Sequence, residues 1–135
     1  MTVEWEQPLL EGQVSQKTIL IVDDDQATGE VLEVALTQDD VSYRPLVVQS
    51  AAQALRIAQE QRVDLFILDY RLLDMNGIEL YHRLHDGAGS KHAPTLIMSA
   101  SLASHEPELH THQLHGLAKP FELDELLEKV AQLLT

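Results

Sequence analysis

The feature that most constrains this chain is an alternation of short apolar runs with longer segments of helical period. Five runs have strand length and are almost entirely apolar, as expected of strands covered on both faces: residues 19–22, 46–48, 65–68, 95–98 and 117–118. Segments of helical length lie between them. Such alternation is typical of βα units on a parallel sheet. It predicts an α/β fold, a doubly wound three-layer sandwich.

Four helices are predicted from apolar spacing and end signals, at about residues 26–37, 50–58, 77–84 and 122–134. The second opens at Ser50 with a capping-box pattern. The stretch 101–116 has a weaker pattern, because Pro107 interrupts it and four histidines replace the expected apolar stripe. A short or late-starting helix is predicted there.

The length of 135 residues suits one domain. Residues 1–16 show no sustained period and are predicted to be a poorly ordered N-terminal extension, with the domain at 17–135. The chain continues for one helix beyond Lys119, so a stand-alone module without an effector domain is expected.

Composition excludes several classes of function. With 22 acidic and 9 basic residues the net charge is −13, so the basic footprint of a nucleic-acid binder is missing. The absence of Cys excludes disulfides, thiolate metal sites and a Cys nucleophile. No apolar run approaches the roughly 20 residues of a membrane span. A cytoplasmic protein that binds neither nucleic acid nor membrane is predicted.

Polar side chains follow four of the five predicted strands where each strand ends. They are Asp23, Asp24 and Asp25 after the first, Asp69 after the third, Ser99 after the fourth and Lys119 after the fifth. Ligands in doubly wound folds collect at this rim of the sheet. If the first and third strands are neighbours, Asp69 meets Asp23 or Asp24, and such carboxylates must share a proton or bind a cation.

A hard divalent cation suits this group, and Mg²⁺ is seldom caged completely by protein. Lys119 adds a positive charge and Ser99 a hydroxyl donor. Together these groups predict a phosphoryl site in which Asp69 is a carboxylate nucleophile. Asp25 is better explained as the N-cap of the helix that follows it.

The site residues stand in four ordered motifs: ILIVDDD at 19–25, DLFILD at 64–69 followed by MNG at 75–77, IMSA at 97–100 and AKPF at 118–121. In these motifs the chain resembles the receiver domain of bacterial two-component response regulators, the CheY-like superfamily, over about residues 17–134. The resemblance implies a five-stranded parallel sheet of order 2-1-3-4-5. It also implies a cis peptide bond between Lys119 and Pro120.

The resemblance further implies that Asp69 accepts a phosphoryl group from a histidine kinase or a His-containing phosphotransfer protein. The metal would be Mg²⁺, with Mn²⁺ as a possible substitute. Its protein ligands would be Asp23, Asp24, the Asp69 carboxylate and the main-chain carbonyl of Arg71.

By the same resemblance, Lys119 pairs with the phosphoryl oxygens, Ser99 donates a hydrogen bond to one of them, and the small Ala100 leaves room for the group to enter. The output would be a conformational change read by a downstream protein target. The chain would catalyse only its own phosphorylation and dephosphorylation.

Two positions depart from the family pattern. Leu73 replaces the usual Pro four residues after the phosphoacceptor, and Gly116 replaces the aromatic residue three before Lys119. Because a glycine has no ring to turn, phosphorylation is predicted to shift the segment 101–116 instead.

Two other functions fit parts of the pattern. One is a receiver-like module that signals by binding alone. The other is a phosphatase of the haloacid dehalogenase type, whose first motif the stretch 23–27 resembles, but which leaves Asp69 without a role. The histidines of 105–115 lack the four-ligand set of a structural metal site and are predicted to be solvated, as is the pair His82 and His85.

Overall fold

The fold is a five-stranded parallel sheet with helices on both faces. The computed structural model describes residues 16–38, 43–86 and 92–135. The strands are β1 (Lys17–Val22), β2 (Tyr43–Val48), β3 (Leu65–Asp69), β4 (Thr95–Ser99) and β5 (His115–Ala118). The helices are α1 (Gln26–Gln38), α2 (Ala51–Glu60), α3 (Gly77–Asp86), α4 (Leu102–Thr111) and α5 (Leu123–Leu133). The strand order β2-β1-β3-β4-β5 confirms the predicted doubly wound α/β sandwich of order 2-1-3-4-5.

The apolar strands are buried on both faces because each face has its own core. Alternate side chains of a strand point to opposite faces, so Leu20 and Phe66 pack among residues of α2 and α3. Their neighbours Ile21 and Ile67 pack on the other face among residues of α1 and α5. All four side chains are fully buried. This explains why the central strands are apolar throughout rather than alternating.

The register of the sheet brings the strand ends to one level. Val22 pairs with Leu68, and Ser99 pairs with Ala118. The residues that directly follow these pairs therefore lie side by side along one rim. The rim collects the side chains that the sequence motifs place after each strand.

The edge strand β2 is longer than predicted. It begins at Tyr43 and includes Pro45, which pairs with Ile19 of β1. A proline lacks a donor but is tolerated on an edge strand, where one side of the backbone needs no ladder partner. The apolar run 46–48 marks only the second half of the strand.

Of the two alternatives predicted for the stretch 101–116, a short helix or a late-starting one, the late start is wrong. The helix begins at Leu102, directly after Ser101, and runs for ten residues with Pro107 inside it. Pro107 removes one helical hydrogen bond. Among its residues only Leu109 is buried, so α4 lies on the surface and needs no broad apolar stripe.

The predicted extension 1–16 lies outside the described residues except for Gln16, which is exposed. Within the described ranges, no helix has the length and apolar character that a bilayer crossing requires.

Candidate functional site

Three carboxylates converge at the rim of the sheet. Asp23 and Asp24 directly follow β1, and Asp69 is the last residue of β3. One oxygen from each lies within 4.8 Å of the other two. Asp23 is fully buried, Asp69 is 7% exposed and Asp24 is the most exposed of the three. Both Asp23 and Asp24 therefore approach Asp69, whereas the sequence alone did not decide which of the two would do so.

Lys119 places its ammonium group between two of these acids. Its Nζ lies 2.9 Å from Oδ2 of Asp23 and 3.2 Å from Oδ2 of Asp69. The backbone also fixes its position, because the Lys119 N–H donates to the carbonyl oxygen of Ser99 at 2.8 Å. The Lys119–Pro120 peptide bond is cis, as the family resemblance implied.

The electrostatics of the group follow from burial and proximity. Burial raises the pKa of Asp69, and the neighbouring charge of Asp23 raises it further, while Lys119 acts in the opposite direction. Burial opposes the charged form of Lys119, but its contacts with Asp23 and Asp69 outweigh that effect and raise the pKa of Lys119. The site thus concentrates negative charge that one ammonium group only partly balances, an environment that favours binding of a cation.

The raised pKa of Asp69 predicts that this carboxylate destabilises the metal-free fold near neutral pH. A carboxyl group with a raised folded-state pKa costs stability above that pKa, and the cost disappears where both states are protonated, below its usual value of 3.8. Asp69→Asn should therefore stabilise the metal-free chain at neutral pH by roughly 1 kcal/mol. Urea unfolding across pH is the measurement. The prediction would be contradicted if Asp69→Asn were less stable than the native chain at neutral pH. It would also be contradicted if the stability difference in favour of the variant grew as the pH fell.

Ser99 lies at the end of β4 and is 2% exposed. Its Oγ accepts a hydrogen bond from the Ser101 N–H at 2.9 Å and lies 2.8 Å from Nδ1 of His105. The ring of Tyr70 stacks on His105, with ring centroids 3.6 Å apart and planes inclined by 15°. His105 thus lines the site, which the sequence did not predict.

Three of the histidines predicted to be solvated are half-buried: His85, His105 and His112. The ring nitrogens of His85 each lie 2.8 Å from a backbone carbonyl, of Tyr81 and of Ala93, and the ring of His112 lies edge-on to that of His82, with centroids 4.6 Å apart. The prediction for His82, which is exposed, is confirmed. The contacts of His105 and His112 join different elements, and His85 also contacts Ala93 outside its own helix, so no local pattern indicates them.

The loop after β3 is fixed against two helices. Asp74 accepts hydrogen bonds from the N–H groups of Ala51 and Ala52, at 3.2 Å each, at the start of α2. These bonds lower the pKa of Asp74 against the opposing effect of desolvation. At the other end of the loop, Asn76 accepts from the N–H of Glu79 at 2.8 Å. Leu73, in the middle, is 88% exposed.

Two further predicted residues have distinct places. Arg71 lines the cavity, and its backbone N–H donates to the Asp69 carboxylate. Asp25 accepts from the Ala27 N–H at 3.1 Å and from the Thr28 hydroxyl at 2.8 Å. These two bonds lower the pKa of Asp25, the Thr28 bond most. The N-cap assignment of Asp25 is confirmed.

The residues surround an open cavity of about 530 Å³. Asp24, Asp69, Ser99, His105 and Lys119 all contribute to its wall. Three carboxylates with one exposed member form a donor set that fits a hard divalent cation with positions left for water. The Lys119 ammonium group, which contacts two of these carboxylates, and the Ser99 hydroxyl can contact an anion. The cavity can therefore take a metal ion and a phosphoryl group together.

Comparison with known proteins agrees with this geometry. A family model described as the response regulator receiver domain matches residues 19–131. The transcriptional regulatory protein KdpE of Mycobacterium tuberculosis is 32% identical over 114 residues, covering 83% of this chain and 48% of that protein. The response regulator ArlR of Staphylococcus haemolyticus is 31% identical over 121 residues, covering 86% of this chain and 52% of that protein. The chain spans about half the length of these curated relatives.

Solved structures show the same fold. The receiver domain of HemR from Leptospira biflexa, in its non-phosphorylated form, is 29% identical, with a TM-score of 0.78 and coverage of 89% of this chain and 95% of that one. The response regulator TrrA of Thermotoga maritima, solved with Mg²⁺ and BeF, is 28% identical, with a TM-score of 0.77 and coverage of 88% and 100%. By its motifs, its sheet and its family match, this chain belongs to the response regulator receiver domain family of two-component signalling phosphoacceptors.

Proposed function

We propose that this chain accepts a phosphoryl group on Asp69 from a histidine kinase or a His-containing phosphotransfer protein, in a reaction that requires Mg²⁺. The observation that supports it most is the convergence of three carboxylates within 4.8 Å, with the Lys119 ammonium group 3.2 Å from Asp69. Clustered acids of this kind destabilise a protein unless a ligand uses them. In a metal-dependent phosphoacceptor, the three carboxylates and Lys119 each have a role.

In the proposed reaction, a carboxylate oxygen of Asp69 attacks the phosphorus of the phosphorylated donor histidine. The new O–P bond forms as the P–N bond breaks, and the electron pair returns to the donor nitrogen. Lys119 then contacts a phosphoryl oxygen in place of part of its present pairing with Asp69. Ser99 donates its hydroxyl hydrogen to another of these oxygens, and Ala100 leaves the entrance open.

The residues that would hold the metal are Asp23, Asp24, Asp69 and the main-chain carbonyl of Arg71. Bound there, Mg²⁺ or Mn²⁺ would neutralise charge on the oxygens that come together. The TrrA structure, solved with Mg²⁺ and BeF, supports this assignment by its similarity to the chain. Two hydrogen bonds fix the orientation of the Asp23 carboxylate: one oxygen accepts from the Asp25 N–H and the other from the Lys119 ammonium group, at 2.9 Å each.

The output we propose is a contact with a downstream protein in the cytoplasm. The net charge of −13 disfavours direct binding of this domain to nucleic acid. Several relatives are named as transcriptional regulators, and they are about twice as long as this chain. DNA binding, where it occurs, would then belong to segments outside the receiver domain.

Mass spectrometry of the intact chain tests the proposed phosphorylation. After incubation with acetyl phosphate and Mg²⁺, the native chain should gain one phosphoryl group, and Asp69→Asn should gain none. Asp124→Asn, an exposed acid in the first turn of α5, is the matched control and should label like the native chain. No label on the native chain, or equal labelling of Asp69→Asn, would overturn the proposal. The first of these results would favour the alternative of a module that acts by binding alone.

A further inference from the structure

Gly116 of β5 lies in close contact with α4. A Cβ atom at this position would lie 2.6 Å from Cδ1 of Leu102 and 3.0 Å from Cδ1 of Leu109. Both leucines belong to α4, so this helix packs directly against the backbone of β5. A ring at position 116 would have to displace these leucine side chains. Because Gly116 has no side chain that could relay a signal from the phosphoryl group, another contact must do so.

Three contacts connect α4 to the strand ends that form the site. His105 contacts the Ser99 hydroxyl at 2.8 Å and stacks on Tyr70, the residue after the phosphoacceptor. The Tyr70 hydroxyl donates to Oε1 of Glu108 at 3.0 Å. The helix is thus held by residues of both β4 and the loop after β3.

The Ser99 hydroxyl has one hydrogen to donate and two lone pairs. The Ser101 N–H already uses one lone pair. Because Ser99 is 2% exposed, leaving its hydrogen without an acceptor would be costly. Among the residues that the structure describes, Nδ1 of His105 is positioned to accept it. We therefore assign the ring proton of His105 to Nε2.

One hydrogen cannot serve two acceptors. In the proposed function, Ser99 donates to an oxygen of the phosphoryl group on Asp69, so the bond to Nδ1 cannot persist in its present polarity. The hydroxyl rotates and keeps its hydrogen. Nδ1 then either loses its partner, or the ring changes tautomer: Nε2 releases its proton to solvent, Nδ1 gains one from solvent, and Nδ1 becomes the donor to the hydroxyl oxygen. In both cases the contact that holds α4 to β4 changes at the moment of phosphorylation.

From this geometry we propose that His105 is the positioning residue that couples Asp69 phosphorylation to α4. When Ser99 donates its hydrogen to the phosphoryl group, the present hydrogen bond to His105 is lost and the His105 ring changes position. The inference rests on the proposed function, because it requires a phosphoryl group on Asp69. Its consequence is that α4, rather than an aromatic ring on β5, forms the surface that a partner reads. Tyr70 is expected to move with the His105 ring because the two rings are stacked.

The test follows the His105 ring and the α4 amides by NMR. Beryllofluoride with Mg²⁺ is added as a mimic of the phosphoryl group on a carboxylate. In the native chain, the nitrogen chemical shift of His105 Nδ1 should move away from the value of an unprotonated nitrogen that accepts a hydrogen bond. Amides of α4 should exchange with solvent about tenfold faster, as expected when a local contact is released.

Two variants separate the hydrogen bond from the stack. His105→Phe keeps an aromatic ring against Tyr70 but cannot accept from Ser99, so its α4 amides should exchange about tenfold faster before beryllofluoride is added and change little afterwards. His110→Phe, at an exposed position of the same helix, should respond like the native chain. The ring measurement itself uses the native chain and so does not depend on a variant that folds.

The outcomes distinguish the two proposals. If beryllofluoride shifts the amides of Asp69 and Ser99 while Nδ1 of His105 and the α4 amides stay unchanged, the inference about His105 is overturned and the phosphoacceptor remains. If Asp69 and Ser99 do not respond and acetyl phosphate adds no mass, the proposed function fails, and the role of His105 fails with it.

Discussion

Lys119→Met is expected to destabilise the metal-free chain by about 2–3 kcal/mol near neutral pH. Breaking a buried ion pair by removing one partner typically costs about 3–5 kcal/mol, and we take a lower figure because the Lys119 side chain is 22% exposed. The substitution removes the positive charge that both Asp23 and Asp69 contact, so the two carboxylates remain close together without a counter-charge. Urea unfolding in the presence of a chelator measures the effect.

The pH dependence of this loss has a defined direction. The raised pKa of Lys119 means that its stabilisation is complete below the usual value of 10.5 and is lost as the pH rises through the folded-state pKa. Toward acid the loss should also shrink, because Asp69, with its raised pKa, becomes neutral. Lys17→Met, at the exposed start of β1, is the control and should change stability little. A loss of stability that Mg²⁺ does not reduce would contradict the account.

Gly77→Ala is expected to destabilise the fold by about 3 kcal/mol, although alanine is the better helix former. Its Cβ would lie 2.6 Å from the carbonyl oxygen of Asp69 and 3.1 Å from Cα of Tyr70. Both are backbone atoms of the phosphoacceptor segment, so the strand end or the helix start must shift. Thermal and urea unfolding give the stability, and labelling by acetyl phosphate should fall as Asp69 is displaced.

Gly116→Ala is the matched comparison for Gly77→Ala. Its closest contacts are the ends of leucine side chains, which can change rotamer, so a loss of about 1 kcal/mol is expected. The larger loss should therefore occur at Gly77. Equal losses at the two positions, or a gain at Gly77, would show that the start of α3 does not restrain the segment around Asp69.

The fold was predictable because its signals are local and repeated. Apolar runs such as 19–22 and 65–68 have no polar member, which already indicates strands covered on both faces. The motifs then place acids, a hydroxyl and a lysine at strand ends, and parallel pairing brings strand ends together. Neighbouring strands β1 and β3 account for the approach of the first-strand acids to Asp69, whereas Lys119 follows β5, two strands from β3, and reaches these acids through its long side chain.

The environment of His105 was not predictable for the opposite reason. Its partners Ser99 and Tyr70 lie on other elements, and each contact depends on where α4 packs against the sheet. The position of α4 in turn depends on Gly116, which lets Leu102 and Leu109 approach β5. A sequence window shows a glycine in place of an aromatic residue, but it does not show what fills the space.

The central claim is that three carboxylates form a metal site that Asp69 needs for phosphorylation. Labelling of the native chain and of Asp24→Asn by acetyl phosphate, followed by intact mass at increasing Mg²⁺ concentrations, tests it most directly. Asp24 is the exposed acid of the group, so its loss weakens the metal site and leaves the phosphoacceptor present. We predict no label with a chelator, one phosphoryl group on the native chain with Mg²⁺, and a requirement for about tenfold more Mg²⁺ in Asp24→Asn. Equal labelling of both chains without metal would contradict the account.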